Sequence, residues 1–415
     1  MIRAVCGVFQ LRSSASIPRL FVLIPALMVH ILASNALRIG TATSALCRSP
    51  TTMGCRFGNQ LRTNTFGSDK VRSKTKCAMT IADTALGNTV AGKTLLDGLD
   101  VYTVPASGDN HPLAVYGIAS EDPSQTRTDL HDVRPILLLH GRTWSSVPVY
   151  HLLGGPTQRQ NGKESRSLME ALLANGLQPY AMDFRGFGGT PLDATRCVEP
   201  FRCVSDVETV LKWIAQRHGM DGISKEPVFE MPALLGWSQG ALVAQMVAQK
   251  THHLLSKLVL YGSIYDPLVR YVRDPLYTMS PAANESPIIN TADAAMEDFT
   301  IEGTITQETA VAFAEAALVS DPHKAKWKHL YQFNTLDPAR VHVPTLVVAG
   351  DQDPYAPLHV QADLFTNLGR GSDRTWSILA DADHAAHMLD GRGRFCNLVT
   401  SFVQNGKRSE KSTFF

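Results

Sequence analysis

The chain has 415 residues, 44% hydrophobic and 19% charged, with a formal net charge of +1. That is ordinary globular composition, enough for one large domain and an insertion. Residues 1–78 hold eleven Lys and Arg and one acid, Asp69, which leaves 28 basic and 37 acidic residues beyond, a balance of −9. An acidic body without a basic stripe argues against nucleic acid as a partner. No Walker-type P-loop, internal repeat, paired C-x-x-C or His spacing of a metal site occurs, so neither cofactor nor metal is expected.

Residues 1–78 read as a targeting region, outside the fold. Met1 to Ser68 contains no Asp or Glu and is rich in Arg, Ser and Thr. The apolar run Leu20 to Leu37 is about the minimum that spans a bilayer, and it contains Pro25, His30 and Asn35. A secretory signal cleaved after Ala36, followed by a transit-peptide-like stretch, would address an organelle reached through the secretory route, such as a complex plastid. A mitochondrial presequence, an uncleaved anchor over residues 20–37, and a true start near Met79 are the alternatives. The expected domain covers residues 79–403, with a disordered tail over 404–415.

Residues 99–104 and 112–118 predict an antiparallel hairpin. After them, apolar strand-like runs alternate with helical ones, which predicts a mainly parallel sheet with helices on both faces. The expected strands are 136–140, 179–183, 233–236, 257–261, 345–349 and 375–379. Expected helices between them include 165–175 and 204–216, the latter with Val207, Val210, Leu211 and Ile214 at helical spacing. About eighty residues separate the strand ending at Tyr261 from the one starting near Thr345, too many for a simple connection. Helical character there falls on 291–299, 307–319 and 322–333.

The most informative stretch is Gly236-Trp237-Ser238-Gln239-Gly240. It follows the short apolar run Met231 to Gly236 and precedes the helix-like run Ala241 to Lys250. A serine on so tight a turn is pushed out of the sheet with its hydroxyl exposed, and the flanking glycines remove side chains that would clash. Downstream, the strand-like 343–350 runs into Asp351-Gln352-Asp353-Pro354, and the last strand ends in Asp381-Ala382-Asp383-His384. Serine, acid and histidine are the parts of an activated nucleophile, its base and the group that orients the base.

These motifs, with Leu137-Leu-Leu-His140-Gly141 and Asp183-Phe-Arg185-Gly186-Phe-Gly188-Gly189-Thr190, resemble in order those of the α/β-hydrolase superfamily, from about Pro135 to about Val403. The resemblance implies an α/β-hydrolase fold with a helical cap over about 264–343. It implies Ser238 as nucleophile, His384 as base and Asp353 as acid, with the backbone N–H groups of Gln239 and Arg142 as the oxyanion hole. Asp351 and Asp266 are the rivals for the acid. His387 is the rival for the base, and otherwise reads as a residue near the pocket mouth. His140 reads as structural, and Asp183 and Arg185 as a structural pair. The cap's aromatic residues, Trp327 and Tyr331 among them, suit either an apolar acyl pocket or a small core of their own.

The implied activity is hydrolysis of a carboxylic ester, thioester or lactone, with a small acyl compound as partner and a rate that falls as His384 protonates. An acyltransferase on the same triad, or a ligand-binding member that turns over slowly or not at all, are the alternatives. Cys197 and Cys203 are read as free thiols, with a short-loop disulfide as the alternative. The membrane enters this reading only through the N-terminal segment.

Overall fold

The structure, a computed structural model, describes residues 89–90, 93–119, 133–152, 166–219, 231–273, 275 and 287–405. The expected targeting region and residues 406–415 lie outside them.

Eight strands form one sheet. They are β1 (Leu99–Pro105), β2 (Pro112–Ile118), β3 (Arg134–Leu139), β4 (Leu177–Met182), β5 (Ala233–Trp237), β6 (Leu258–Tyr261), β7 (Thr345–Gly350) and β8 (Arg374–Leu379). Their order across the sheet is β8-β7-β6-β5-β3-β4-β2-β1. Strands β3 to β8 run parallel, while the hairpin β1–β2 joins the sheet by antiparallel pairing of β2 with β4. The central strands are apolar on both faces and buried throughout, as a sheet covered on both sides requires. The outermost strand β1 is instead exposed or half-buried except at Val104.

Among the described residues, eight α-helices accompany the sheet: α1 (Ser146–Tyr150), α2 (Leu168–Ala174), α3 (Pro200–Arg217), α4 (Gln239–Lys250), α5 (Ala292–Met296), α6 (Gln307–Ser320), α7 (Leu358–Asn367) and α8 (Gly393–Gln404). Period-2 alternation divides the core into two layers. Ile136, Leu138, Leu235, Val259 and Leu346 face one side, where Leu168 and Leu172 of α2 and Phe395 and Val399 of α8 cover them. Leu137, Leu139, Leu234, Leu258 and Val347 face the other, against Val207 and Leu211 of α3, Val243 and Val247 of α4, and Leu364 of α7. Each such side chain, fully buried, contributes roughly 1.5–3 kcal/mol.

Parallel register brings the strand ends together. Leu139 lies opposite Gly236, Trp237 opposite Tyr261, Tyr261 opposite Val348, and Gly350 opposite Leu379. The loops after β3, β5, β6, β7 and β8 therefore emerge along one edge, where ligand sites of open parallel sheets form.

Three expected helices are corrected. The first starts at Leu168 rather than residue 165, because the Ser167 side chain accepts from the Glu170 N–H and caps it. Helix α5 covers only five of the nine residues 291–299, capped by Thr291. Residues 322–333 are not one helix. The Val198 N–H donates to Lys326 O and the Lys328 N–H to Val198 O, which holds this stretch extended. His329 then adopts φ 55° and opens a 3-10 turn over Leu330–Thr335. Backbone pairing with a sequence-remote loop overrides the local helical preference. Helix α6 matches its expectation and buries Phe313 against Phe299 and Trp144, with ring centroids 5.4 and 6.4 Å apart.

Candidate active site

Ser238 stands between β5 and α4 with φ 58° and ψ −122°, a conformation that L residues rarely adopt. Its N–H donates to Tyr261 O at 3.0 Å, which fixes the turn to the next strand. A Cβ on Gly236 would lie 2.3 Å from Gly240 O, and one on Gly240 would lie 2.3 Å from His140 O. Both glycines are therefore required by backbone approach, not by flexibility. Gly141 faces the serine: a Cβ there would sit 3.2 Å from Ser238 Cβ and 3.7 Å from its Oγ.

The expected acid and base meet. His384 Nδ1 lies 2.8 Å from Asp353 Oδ2, and both side chains are almost wholly buried. Asp353 Oδ1 accepts from the N–H groups of Tyr355 at 2.9 Å and Ala356 at 3.0 Å. A carboxylate so occupied takes its third bond from Nδ1–H, which leaves Nε2 of a neutral ring as proton acceptor. The backbone of His384 is fixed as well. Its carbonyl accepts from Trp237 Nε1–H at 2.8 Å and from the Tyr261 hydroxyl at 2.9 Å. The Trp237 ring also lies 5.2 Å from the His384 ring. Sequence reading did not single out Trp237 or Tyr261 for this role. Their shared signal was position, as aromatic residues ending two neighbouring parallel strands.

The rivals go elsewhere. Asp351 accepts from the Ala382 N–H, and Asp266 from the Leu268 N–H, both as loop-capping carboxylates. His387 does not lie near a pocket mouth but is fully buried. Its Nε2–H donates to Val149 O at 3.1 Å, and Nδ1 lies 3.1 Å from the Tyr261 hydroxyl. Burial drives its pKa down to about 3, so it stays neutral and braces Tyr261.

The two residues expected to supply oxyanion donors sit on the turn of the serine and on the loop after β3. Gln239 is the first residue of α4, where an N–H has no intrahelical acceptor. Arg142 follows Gly141, and its carbonyl accepts from Trp327 Nε1–H at 3.0 Å. Trp327 thus ties the segment between β6 and β7 to the loop after β3. His140 shapes the same loop, as expected of it. Its Nε2 accepts from the Phe184 N–H at 3.1 Å, so the proton sits on Nδ1, which donates to Gly141 O at 3.0 Å. Burial lowers its pKa to about 3.

Asp183 and Arg185 both support the neighbouring loop but do not pair with each other. Arg185 forks onto Asp206 through Nε and Nη2, each at 2.8 Å, and also bonds Asp109 and Asp193. Asp183 accepts from Tyr116 Oη at 2.7 Å, Ser146 N–H at 2.8 Å and Gly189 N–H at 2.9 Å. Beside it, Asp321 accepts from the N–H groups of Ser145 at 2.7 Å and Gly188 at 3.0 Å. Burial pushes Asp183 up to about 6 and Asp321 up to about 7. Cys197 and Cys203 are free and buried, so the disulfide alternative falls.

One acid near the pair carried no sequence signal. Asp298 follows α5, and its flanks are tied to the loops of the acid and the base. Glu297 O is 3.5 Å from the Tyr355 hydroxyl, and the Thr300 N–H donates to Asp383 Oδ2 at 2.9 Å. Burial raises Asp298 to about 6; the charge of His384 opposes this, while Asp383 and Asp353 add to it.

Residues 136–397 match the sequence profile of the alpha/beta hydrolase family. No curated protein matches the chain. Solved structures similar to it include a thermophilic esterase from Thermogutta terrifontis, 16% identical, covering 73% of this chain and 98% of that one at a TM-score of 0.48. The carboxylesterase CesB from Bacillus subtilis is 14% identical, with 79% and 96% covered and a TM-score of 0.48. The thioesterase domain of the curacin biosynthetic pathway is also 14% identical, with 72% and 99% covered and a TM-score of 0.47. The likeness extends to no substrate.

Proposed function

The chain belongs to the alpha/beta hydrolase family, and from that premise we propose that it is a serine hydrolase cleaving a carboxylic ester, thioester or lactone through an acyl-enzyme. The observation that supports this best is the 2.8 Å bond from His384 Nδ1 to Asp353 Oδ2, set beside a serine held at φ 58°. In this reading Ser238 Oγ attacks the carbonyl carbon while His384 Nε2 takes its proton. The bond to the leaving oxygen or sulfur breaks as the imidazolium returns the proton to it. Water, activated by the same ring, then releases the acid. Asp353 holds the ring tautomer and stabilises the imidazolium. The N–H groups of Gln239 and Arg142 receive the oxyanion, and losing one such donor costs about 100- to 1,000-fold in rate. The segment between β6 and β7 acts as the cap, since Trp327 and Asp298 approach the site from it.

The reading is tested by labelling with a fluorophosphonate probe. Wild type is expected to label, Ser238→Ala not at all and His384→Ala far more slowly, alongside turnover of simple esters or thioesters. Labelling that persists in a folded Ser238→Ala variant would refute it.

A further inference from the structure

The segment between β6 and β7 exposes aliphatic side chains that the fold does not use. Leu268 and Val272 are each 89% exposed, and Ile288 and Ile289 are 67% and 70% exposed. Scattered single exposed residues need no explanation, but the backbone beside these is bonded at two points to one stretch, residues 323–334. The Lys324 N–H donates to Ile288 O, and Ile289 bridges His323. Further along the same stretch, Tyr271 N–H donates to Asn334 Oδ1 at 2.9 Å and Asn334 Nδ2 returns a bond to Tyr271 O at 2.8 Å.

Among the described residues the charges beside them are predominantly basic, while the sequence also carries Asp274 and Glu285 between them. Residues 264–273, 287–291 and 322–334 carry five cations, Arg270, Arg273, Lys324, Lys326 and Lys328, and one acid, Asp266. Asp266 is half-buried and tied to the Leu268 N–H. In the extended stretch Trp327 turns inward, while Lys324 and Lys326 are exposed and Lys328 is half-exposed. This cationic strip lies on a body whose overall balance is −9 from residue 79 onward.

We propose that this strip docks the protein on an anionic lipid surface. Aliphatic tips enter the boundary between headgroups and acyl chains, while lysine and arginine stems reach the lipid phosphates or sulfates. A lipid surface needs no matching shape, which suits separate protruding aliphatics better than a protein partner does. A protein interface would call for a contiguous core centred on buried aromatic or arginine anchors. The strip also abuts the proposed site, because Trp327, between Lys326 and Lys328, donates to Arg142 O at 3.0 Å. Docking therefore places the site mouth at the lipid surface. That esters held in that surface are substrates rests additionally on the serine-hydrolase reading.

The test uses the full chain carrying Val272→Trp, with Leu268→Trp as the second reporter. Because the probe is local, binding through another segment does not mimic it. Vesicles of phosphatidylglycerol are expected to blue-shift the new tryptophan, and brominated phosphatidylglycerol to quench it, relative to wild type treated identically. Phosphatidylcholine vesicles are expected to do neither. Each cation near an anionic surface is worth a factor of about five, so Arg270→Glu with Lys324→Glu should weaken partitioning by about 30-fold or more. Turnover of a short soluble ester should stay unchanged in that double variant. Both reporters silent with every vesicle, or equal responses to the two lipids, would overturn the proposal. So would a response to soluble polyglutamate but not to vesicles, which would assign the strip to an acidic polypeptide. The vesicle readout needs no turnover, so its failure and that of the hydrolase reading are distinguishable.

Discussion

Replacing Asp353 by Asn is a sharper test of the proposed triad than removing the side chain. Asp353 Oδ1 accepts two main-chain N–H groups, from Tyr355 and Ala356. An amide at this position must turn its oxygen to those two donors, since its NH2 group would oppose both. The NH2 group then faces His384 Nδ1, now 2.8 Å from Oδ2. That nitrogen can only accept, so the ring proton moves to Nε2 and the base is lost. A tautomer swap of this kind lowers kcat by about 10⁴-fold, or about 5 kcal/mol of transition-state stabilisation. Folding should change by no more than ~1 kcal/mol, because both main-chain bonds survive. Asp351→Asn, which alters only the bond to the Ala382 N–H, should stay within about twofold. The assay is kcat on a chromogenic ester, with the fluorophosphonate labelling rate and a thermal melt beside it. Asp353→Asn retaining a tenth of wild-type turnover, or Asp351→Asn losing as much as Asp353→Asn, would refute the assignment.

Trp327→Phe removes the 3.0 Å bond to Arg142 O. It should lower kcat about tenfold through a misplaced oxyanion donor, with KM nearly constant; unchanged kcat in the folded variant contradicts that role. Above its pKa of about 6, ionised Asp298 favours the His384 imidazolium. Asp298→Asn should therefore move the acid limb of the kcat/KM profile to lower pH, and a limb that stays put or rises argues against that electrostatic influence. Asp321 is held up to about 7 in the folded chain against an ordinary value of 3.8. Its contribution to stability is full below about pH 4 and is lost as pH rises through about 7, since the unfolded chain releases the proton first. In denaturant titrations across that window, Asp321→Asn should flatten the fall in stability, and an unaltered slope would show that another group sets it.

Much of the architecture was legible because apolar runs and turns have short-range causes. The strand-like runs over 233–236 and 345–349 fall within β5 and β7, and that over 136–140 overlaps β3 up to Leu139; G-x-S-x-G sits on the turn it implied, with Cβ approaches of 2.3 Å that exclude any residue larger than glycine at 236 or 240. The motif favours Asp353 over Asp351 as the acid, and it is Asp353 that lies 2.8 Å from His384 Nδ1. What sequence could not decide depends on contacts between remote segments. Residues 322–333 have helical composition, yet Val198, more than a hundred residues earlier, holds 326–328 extended. His387 lies three residues from His384, but the packing of Trp237, Tyr261 and Phe395 closes around it and leaves it neutral. Arg185 finds Asp206 and Asp109 rather than Asp183, because β2 and the first residue of α1 reach Asp183 first. Periodicity and turn chemistry act over a few residues and are written in the chain. Burial, ring tautomer and carboxylate partners are set by which distant segments meet, and only the tertiary structure brings those together.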